Sequence, residues 1–324
     1  MQFNNLIKNN YLIIGRAGLD LYADPPGTQM EDADQFFATV GGSAANIAVG
    51  IVRQGGKAAL LTCVSDDAIG RTTIKKLNKF GVNTNHIRAV GGQLRNSLAL
   101  VETRNENCQS VIYRNGAADF ALCEEDVKNI QIANFSALIV TGTCLAIEPS
   151  RTATLAAINL AKASDIPVLM DIDYRPYSWS SAEEAAHVYL DAAKLCDIVI
   201  GNDEEFSVMA GEALTSSKGL ELAEHLANTT AKIVIYKMGA RGSITFSRDG
   251  KFETPIYPVQ TLKPTGAGDA FMAGFVTSLA KGDDLPRSVR RGSAAAAIIV
   301  GRVGCAPAMP TNQEIDEFLL LHAN

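Results

Sequence analysis

The sequence predicts a doubly wound α/β fold, in which helices flank a mostly parallel sheet, with a small β-sheet as a lid. Short apolar runs alternate with helix-like stretches rich in Ala, Leu and Lys. Two other regions show strand-like alternation without a helix between the strands. Parallel strands covered on both faces lack a polar side, so the apolar runs indicate the main sheet.

The predicted strands of the main sheet are residues 138–140, 168–170, 198–200 and 233–236. None of them alternates polar and apolar residues, as expected for strands buried on both faces. The stretches between them are the predicted helices.

The predicted lid comes from residues 17–40 and 91–118, where turn residues separate strand-like segments. Residues 98–102 and 110–113 are expected to form an antiparallel pair. We interpret both regions as one small sheet that projects from the core and covers a site.

The chain has 324 residues, of which 47% are hydrophobic, so it can bury a large core. It contains no internal repeat or low-complexity linker. The prediction is therefore a single α/β domain over residues 1–324, with the lid inserted at roughly 16–40 and 91–119.

Charge and hydropathy narrow the class of protein. A net charge of −6 with scattered Lys and Arg argues against a nucleic-acid surface. The apolar run 11–14 is too short for a signal peptide, and the run 294–300 is much shorter than the roughly 20 residues that span a bilayer. We expect a cytoplasmic protein without nucleic-acid or membrane partners.

The cysteines and histidines form no local chemical motif. The cysteines lie far apart, so we expect reduced, mostly buried thiols: Cys63, Cys108, Cys123, Cys144, Cys196 and Cys305. The histidines are isolated too, which excludes a zinc site or a Ser-His-Asp triad built from local sequence. Any chemistry needs other residues.

The strongest chemical signal is residues 263–271 (KPTGAGDAF). The small residues Gly266, Ala267 and Gly268 allow the backbone to approach a ligand, and the segment after them is typical of a helix. Free N–H groups and the dipole at a helix start stabilise the negative charge of a transferring phosphoryl group. This segment is a candidate anion hole.

Asp269 lies at the same helix start. A carboxylate there is either a helix cap or the base that phosphoryl transfer needs near the acceptor hydroxyl, and the segment alone does not separate these interpretations.

Residues 41–48 (GGSAANIA) are the second signal, leading into a helix that ends near residues 55–56. A pair such as Gly41 and Gly42 is common in plain turns. Asn46, however, offers donor and acceptor groups that suit sugar hydroxyls.

With these segments the chain resembles the ribokinase family of carbohydrate kinases, also called the phosphofructokinase-B family, over essentially its whole length. The resemblance implies a ribokinase-like fold, ATP as the phosphoryl donor, Mg²⁺, and Asp269 as the base. Neither a Walker-A pattern nor a complete Gly-x-Gly-x-x-Gly fingerprint is present, which weakens a phosphate-loop ATPase or a dinucleotide enzyme.

Residues 202–205 (NDEE) resemble the Asn-x-x-Glu element of the family. The resemblance implies that Asn202 and Glu205 organise magnesium-bound water and phosphate. Without the other motifs, an exposed acidic helix start would be the preferred interpretation.

Residues 237–242 (KMGARG) resemble the loop that lies against the nucleotide. The residues implied to bind ATP are Asn202, Glu205, Lys237, Gly239, Gly242, Gly268 and Ser293, of which Ser293 matches a position near adenine.

Residues 15–22 place Asp20 where the family uses a carboxylate against sugar hydroxyls, whereas Arg16 is less usual there. Residues 110–118 and 171–179 resemble the branch that acts on keto-deoxy sugar acids. The residues implied to bind substrate are Arg16, Asp20, Gly41, Gly42, Asn46, Arg114 and Arg175.

A planar guanidinium binds a carboxylate through two hydrogen bonds, so Arg114 and Arg175 indicate an acidic substrate. For each arginine alone, a surface salt bridge is equally plausible. The resemblance implies transfer to the terminal hydroxyl of a keto-deoxy sugar acid, and a homodimer through the lid. A non-catalytic sugar sensor would have lost Asp269 or the glycine run, and neither is lost.

Lys263 departs from the family pattern. Many members have Asp at this position, where it helps to hold a monovalent cation. We hypothesise that the Lys263 ammonium replaces that cation, the alternative being a side chain that points to solvent.

Overall fold

The computed structural model describes residues 4–104, 107–212 and 216–322. They form two compact units, each built from two segments of chain. The first unit contains the N-terminal residues up to Ile14 and Leu122–Ile256, and the second contains Gly15–Ala121 and Tyr257–Asn324. The single domain expected from the sequence stays a prediction.

In this part of the chain the strands are β1 (Asn10–Ile14), β2 (Gly18–Asp24), β3 (Gln35–Gly41), β4 (Lys57–Ser65), β5 (Ile87–Val90), β6 (Leu98–Val101), β7 (Ser110–Tyr113), β8 (Ala137–Thr141), β9 (Val168–Asp171), β10 (Ile198–Asn202), β11 (Ile233–Lys237), β12 (Ser243–Ser247) and β13 (Gly250–Thr254). The helices are α1 (Ser43–Arg53), α2 (Ala68–Lys79), α3 (Glu124–Lys128), α4 (Ser150–Ala163), α5 (Ala182–Ala193), α6 (Asp203–Met209), α7 (Ser217–Thr229), α8 (Ala267–Ala280), α9 (Leu285–Val300) and α10 (Asn312–Leu321).

The first unit contains a sheet in the order β13-β12-β11-β10-β9-β8-β1. Its strands run parallel from β1 to β11, and β12 and β13 are antiparallel to their neighbours. All four strands predicted for the main sheet lie in it, and β8 and β9 are buried along their full lengths. The mostly parallel α/β prediction is therefore confirmed.

The second unit contains a four-stranded sheet in the order β3-β2-β6-β7. The strand β2 pairs antiparallel with β3 and parallel with β6, which pairs antiparallel with β7. Both predicted lid regions thus enter one sheet. The strand β6 ends at Val101, one residue before the predicted end, and the Glu102 carboxylate instead accepts hydrogen bonds from the backbone of Met30 and Gln109.

Small residues bring α8 close to two other helices of the second unit. A Cβ on Gly50 of α1 would lie 2.7 Å from the Ala273 Cβ of α8, and a Cβ on Gly274 would lie 2.9 Å from the Arg291 carbonyl oxygen of α9. Helices approach this closely only where side chains are nearly absent. The packing places the first turns of α1 and α8 beside one another.

All six cysteines are free thiols, and Cys63, Cys144, Cys196 and Cys305 are buried. The prediction of reduced, mostly buried thiols is confirmed. Among the described residues, no helix is both long and apolar enough to cross a membrane.

Candidate active site

The predicted anion hole is the start of α8. Gly266 precedes the helix with φ +88°, a left-handed conformation that glycine adopts at little cost. A Cβ at this position would lie 2.9 Å from the Cys305 Sγ atom, so the position excludes any side chain. The helix begins at Ala267, and Gly268 follows in its first turn, where backbone N–H groups lack partners within the helix.

Asp269 is the third residue of α8, and the N-cap residue of this helix is Gly266. The interpretation of Asp269 as the capping residue is therefore wrong. One carboxylate oxygen, Oδ2, accepts a hydrogen bond of 2.8 Å from the Asn46 Nδ2 atom. This hydrogen bond holds the carboxylate in a fixed orientation, and the residue is only half-buried, so the carboxylate remains accessible.

Asn46 connects the two glycine segments. It lies in the first turn of α1, which begins after Gly42 at φ +98°. A Cβ on Gly42 would lie 2.5 Å from the Arg16 carbonyl oxygen. Asn46 is buried, and its Oδ1 atom has no hydrogen-bond partner among the described residues. A buried acceptor is costly unless a ligand satisfies it.

Asp20 lies against Gly41, since a Cβ on this glycine would fall 1.8 Å from the Asp20 Oδ1 atom. Asp20 is buried, which raises the pKa of its carboxyl group, while the charges of Arg16 and Lys263 oppose this shift. In the described chain its Oδ1 atom has no hydrogen-bond partner. The Arg16 Nη1 atom donates to the Ser97 Oγ atom at 3.1 Å.

Arg114 is buried rather than exposed. Its Nη2 atom forms an ion pair with Asp119, and the guanidinium lies 4.0 Å from the centre of the Phe120 ring. The surface salt bridge considered for this residue is therefore wrong, because the pair is only a few per cent exposed. Its role towards the substrate stays a prediction.

In the first unit, Asn202 and Glu205 form a capping box at the start of α6. The Asn202 Oδ1 atom accepts from the Glu205 backbone N–H at 2.8 Å, and the Glu205 carboxylate accepts from the backbone N–H groups of Asn202 and Tyr174. Glu205 is buried, so the alternative of an exposed acidic helix start is wrong.

Charged groups surround Glu205. Burial raises the pKa of its carboxyl group, the positive charges of Lys237 and Arg175 oppose the rise, and the negative charge of Asp173 adds to it. Lys237 ends β11 directly opposite Asn202 in the pairing of β10 and β11. The Arg175 Nη2 atom lies 2.7 Å from the Asp173 Oδ1 atom, with the arginine side chain 42% exposed.

The loop after β11 shows why two predicted glycines are needed. Gly239 has φ +56° with open space around its Cα, which leaves its backbone accessible. A Cβ on Gly242 would lie 2.2 Å from the Thr254 carbonyl oxygen. An ion pair of 2.8 Å between Arg241 and Asp203 connects this loop to α6. Ser293 lies in α9 of the second unit and is half-buried.

Lys263 is fully buried, so the alternative in which it points to solvent is wrong. Its contacts include Cys305, which sequence reasoning treated as an isolated thiol, and Tyr22 lies beside that thiol. No local pattern joins these positions: Lys263 lies 42 positions from Cys305, and Tyr22 lies 283 positions from it. Their proximity depends on the tertiary structure alone.

The residues of the first unit suit Mg²⁺ held through water. Among the described residues no cluster of three or more His, Cys, Asp or Glu side chains is arranged to bind a metal directly. Mg²⁺ keeps several waters and commonly uses one or two carboxylates together with substrate phosphates. The Glu205 carboxylate and the Asn202 amide oxygen fit this outer role.

Residues 8–312 match the model of the pfkB family of carbohydrate kinases. Since the match covers most of the sequence, the chain belongs to this family.

Several curated relatives, at 35–41% identity, bear the name 5-dehydro-2-deoxygluconokinase. The relative from Photobacterium profundum is 41% identical over 310 residues, covering 95% of this chain and 94% of its own. The relative from Bacillus subtilis is 37% identical over 319 residues, covering 98% of each. Among solved structures, a putative ribokinase II from E. coli in complex with ATP and Mg²⁺ has a TM-score of 0.85 at 21% identity, covering 97% of this chain and 99% of that one. This last likeness shows the fold.

Proposed function

We propose that this carbohydrate kinase transfers the γ-phosphoryl group of ATP to the terminal hydroxyl of 5-dehydro-2-deoxy-D-gluconate, giving the 6-phosphate, a step of myo-inositol catabolism. The observation that carries the chemistry is the Asp269 carboxylate, which lies in the first turn of α8 and is held by Asn46. The names of the relatives at 35–41% identity support the substrate.

Asp269 accepts the proton of the attacking hydroxyl as the oxygen approaches phosphorus. Its fixed orientation matters because the base must lie within hydrogen-bond reach of that proton. The N–H groups after Gly266 and the dipole of α8 stabilise the charge on the transferring oxygens. The reaction needs no covalent intermediate on the protein.

Asp20 and Asn46 are the proposed sugar contacts. Each is a buried side chain with an oxygen that lacks a protein hydrogen-bond partner in the described chain. Sugar hydroxyls would supply the missing donors, which favours a polyhydroxylated substrate over an apolar one.

We assign ATP binding to Lys237, Gly239, Gly242, Gly268 and Ser293, and the magnesium-bound water to Asn202 and Glu205. Bound Mg²⁺ neutralises phosphate charge in such a reaction. Lys237 supplies a positive charge, and Gly239 an accessible backbone, for a phosphate group. We also propose that the protein acts in the cytoplasm.

A substrate panel with coupled detection of ADP tests the function. We expect the highest kcat/KM with 5-dehydro-2-deoxygluconate, and lower values with 2-dehydro-3-deoxygluconate, neutral ketoses and nucleosides. A preference for 2-dehydro-3-deoxygluconate would change the proposed substrate, but the protein would still be a sugar-acid kinase. Sugar binding without ADP release would instead identify a non-catalytic sensor.

Arg175 provides a test of acid recognition. We expect Arg175→Ala to lower kcat/KM for the sugar acid by about tenfold to a hundredfold, since only the acid loses a charge-assisted hydrogen bond. A neutral ketose should lose less than about threefold, and Arg175→Lys should fall between. Equal losses for both substrates would show that Arg175 does not contact the carboxylate.

The role of Arg114 must be tested in a double variant. Removal of Arg114 alone would leave the buried Asp119 charge without its partner, which destabilises the fold. The double variant Arg114→Met/Asp119→Asn removes both charges. A loss of kcat/KM in this variant that is larger for the sugar acid than for a neutral ketose supports recognition of the acid by Arg114. An unchanged ratio between the two substrates would show that Arg114 has only a structural role.

We further propose a homodimer through the lid sheet. Phe36, Val111 and Tyr113 are exposed, and the strand register places them on the same face of this sheet. Val111→Asp/Tyr113→Asp should convert a dimer to a monomer in sedimentation velocity, whereas Ile147→Asp, which changes an exposed apolar residue of the first unit, should not. A monomeric unmodified protein contradicts the proposal.

A further inference from the structure

A buried cluster lies beneath the loop that leads into α8. We call it the Lys263 cluster, and its members are Lys263, Cys305, Tyr22 and Asp20. The Lys263 Nζ atom donates to the Thr265 carbonyl oxygen at 2.6 Å and lies 3.7 Å from the Cys305 Sγ atom. The Lys263 side chain is fully buried. An ammonium group in such surroundings is costly unless its donors and charge are used.

Asp20 is the acidic member of this cluster. Burial raises the pKa of its carboxyl group, and the positive charges of Arg16 and Lys263 oppose that rise. Tyr22 and Cys305 lie between Asp20 and Lys263: the Tyr22 hydroxyl is 3.4 Å from the Asp20 Oδ2 atom and 3.1 Å from the Cys305 Sγ atom. Tyr22 and Cys305 are buried together with Ala99 and Val101, so these surroundings are apolar. Electrostatic interactions between the charged members of the cluster are stronger in such surroundings.

The cluster contacts the loop on its protein side. Lys263 donates a hydrogen bond to the carbonyl oxygen of Thr265, the residue immediately before the left-handed Gly266. Cys305 packs against Gly266 so closely that even a methyl group would not fit. The Thr265–Gly266 peptide is therefore held on its protein side by the Lys263 ammonium group and the Cys305 thiol.

We propose that Lys263 is a positioning residue for phosphoryl transfer, whose buried ammonium binds the Thr265 carbonyl and thereby directs the N–H groups at the start of α8 towards the phosphoryl group. This inference rests on the proposed kinase function. A peptide whose carbonyl is held on the protein side presents its N–H on the opposite side. The ammonium also places a fixed positive charge behind the anion hole, where the apolar surroundings screen it weakly.

Two variants separate charge from packing. Lys263→Met fills the space without a charge, and Lys263→Ala leaves a cavity. We expect kcat to fall by about tenfold to a hundredfold in both, with KM values for ATP and sugar within about twofold of the unmodified enzyme. Lys281→Met, the same substitution at the far end of α8, should leave kcat unchanged.

Chemical rescue gives a readout that a merely structural lysine would not move. Ammonium chloride should raise kcat of Lys263→Ala by at least about fivefold, because a small cation can enter the cavity beside the Thr265 carbonyl. It should not rescue Lys263→Met, and tetramethylammonium chloride should rescue neither variant. Each salt is compared at matched ionic strength.

Folded variants with kcat within about threefold of the unmodified enzyme would overturn the inference, as would a loss confined to KM or an absence of rescue. If neither variant folds, the inference is tested on the unmodified enzyme by comparing its kcat in different salts. Its kcat should be the same in potassium and in tetramethylammonium chloride, since the ammonium already supplies the charge, and strong potassium activation would contradict this. An unmodified enzyme without phosphoryl transfer would instead refute the proposed function.

Discussion

The variant Asp269→Asn should fold normally and lose at least about a hundredfold in kcat. Asparagine retains an oxygen that can accept the hydrogen bond from Asn46, so the geometry at the start of α8 should persist. An amide, however, does not accept the proton of the substrate hydroxyl. Steady-state kinetics together with thermal unfolding separate these effects.

The matched control is Asp284→Asn. Asp284 caps α9 by accepting a hydrogen bond from the Arg287 backbone N–H, and asparagine caps helices equally well. Both stability and kcat should therefore stay unchanged in this control. If folded Asp269→Asn kept kcat within about fivefold of the unmodified enzyme, Asp269 would not be the base.

The variant Gly266→Ala should also lower kcat, by about a hundredfold. The new methyl group would meet the Cys305 Sγ atom at 2.9 Å, and alanine is strained at φ +88°. The loop must shift to relieve both, which displaces the N–H groups at the start of α8. The affinity for the sugar should change much less, because Asp20 and Asn46 keep their positions.

Gly282→Ala is the control for backbone strain. Gly282 follows the other end of α8 with φ +84°, and its Cα has open space around it. Both variants should lose about 1–2 kcal/mol of stability from the left-handed conformation. Only Gly266→Ala should lose kcat, and similar kcat values in the two variants would refute a role for the Gly266 loop.

The sequence predicts well those features that depend on neighbouring residues. Four apolar runs mark β8 to β11 because strands buried on both faces need no polar residues. The glycine run before Asp269 likewise marks a helix start, since φ +88° favours glycine. These local requirements are visible in any single segment.

Contacts between distant segments were not predictable in this way. Asn46 and Asp269 were each identified, but their hydrogen bond joins positions 223 residues apart. The contact of Tyr22 with Cys305 spans 283 positions, and no local pattern joins the two residues. The burial of Lys263 depends on the same packing, so the sequence left its orientation open.

Arg114 and Glu205 show a different limit. Charged residues are mostly exposed, so surface interpretations were reasonable for both. Each is nevertheless buried, because Asp119 pairs with Arg114 and two backbone N–H groups satisfy the Glu205 carboxylate. A sequence shows the charge of a residue but not the partners that make its burial tolerable.

The division of the second unit between an early and a late segment has a consequence for biosynthesis. A chain still on the ribosome contains α1 and the lid strands before α8 and Cys305 exist. Its α1 helix, which packs on α8 through Gly50, then lacks that covering partner. Long-range closure of this kind slows folding and exposes apolar surface in the meantime. Nascent chains should therefore engage chaperones, and phosphoryl transfer should begin only after the final segment has been translated and docked.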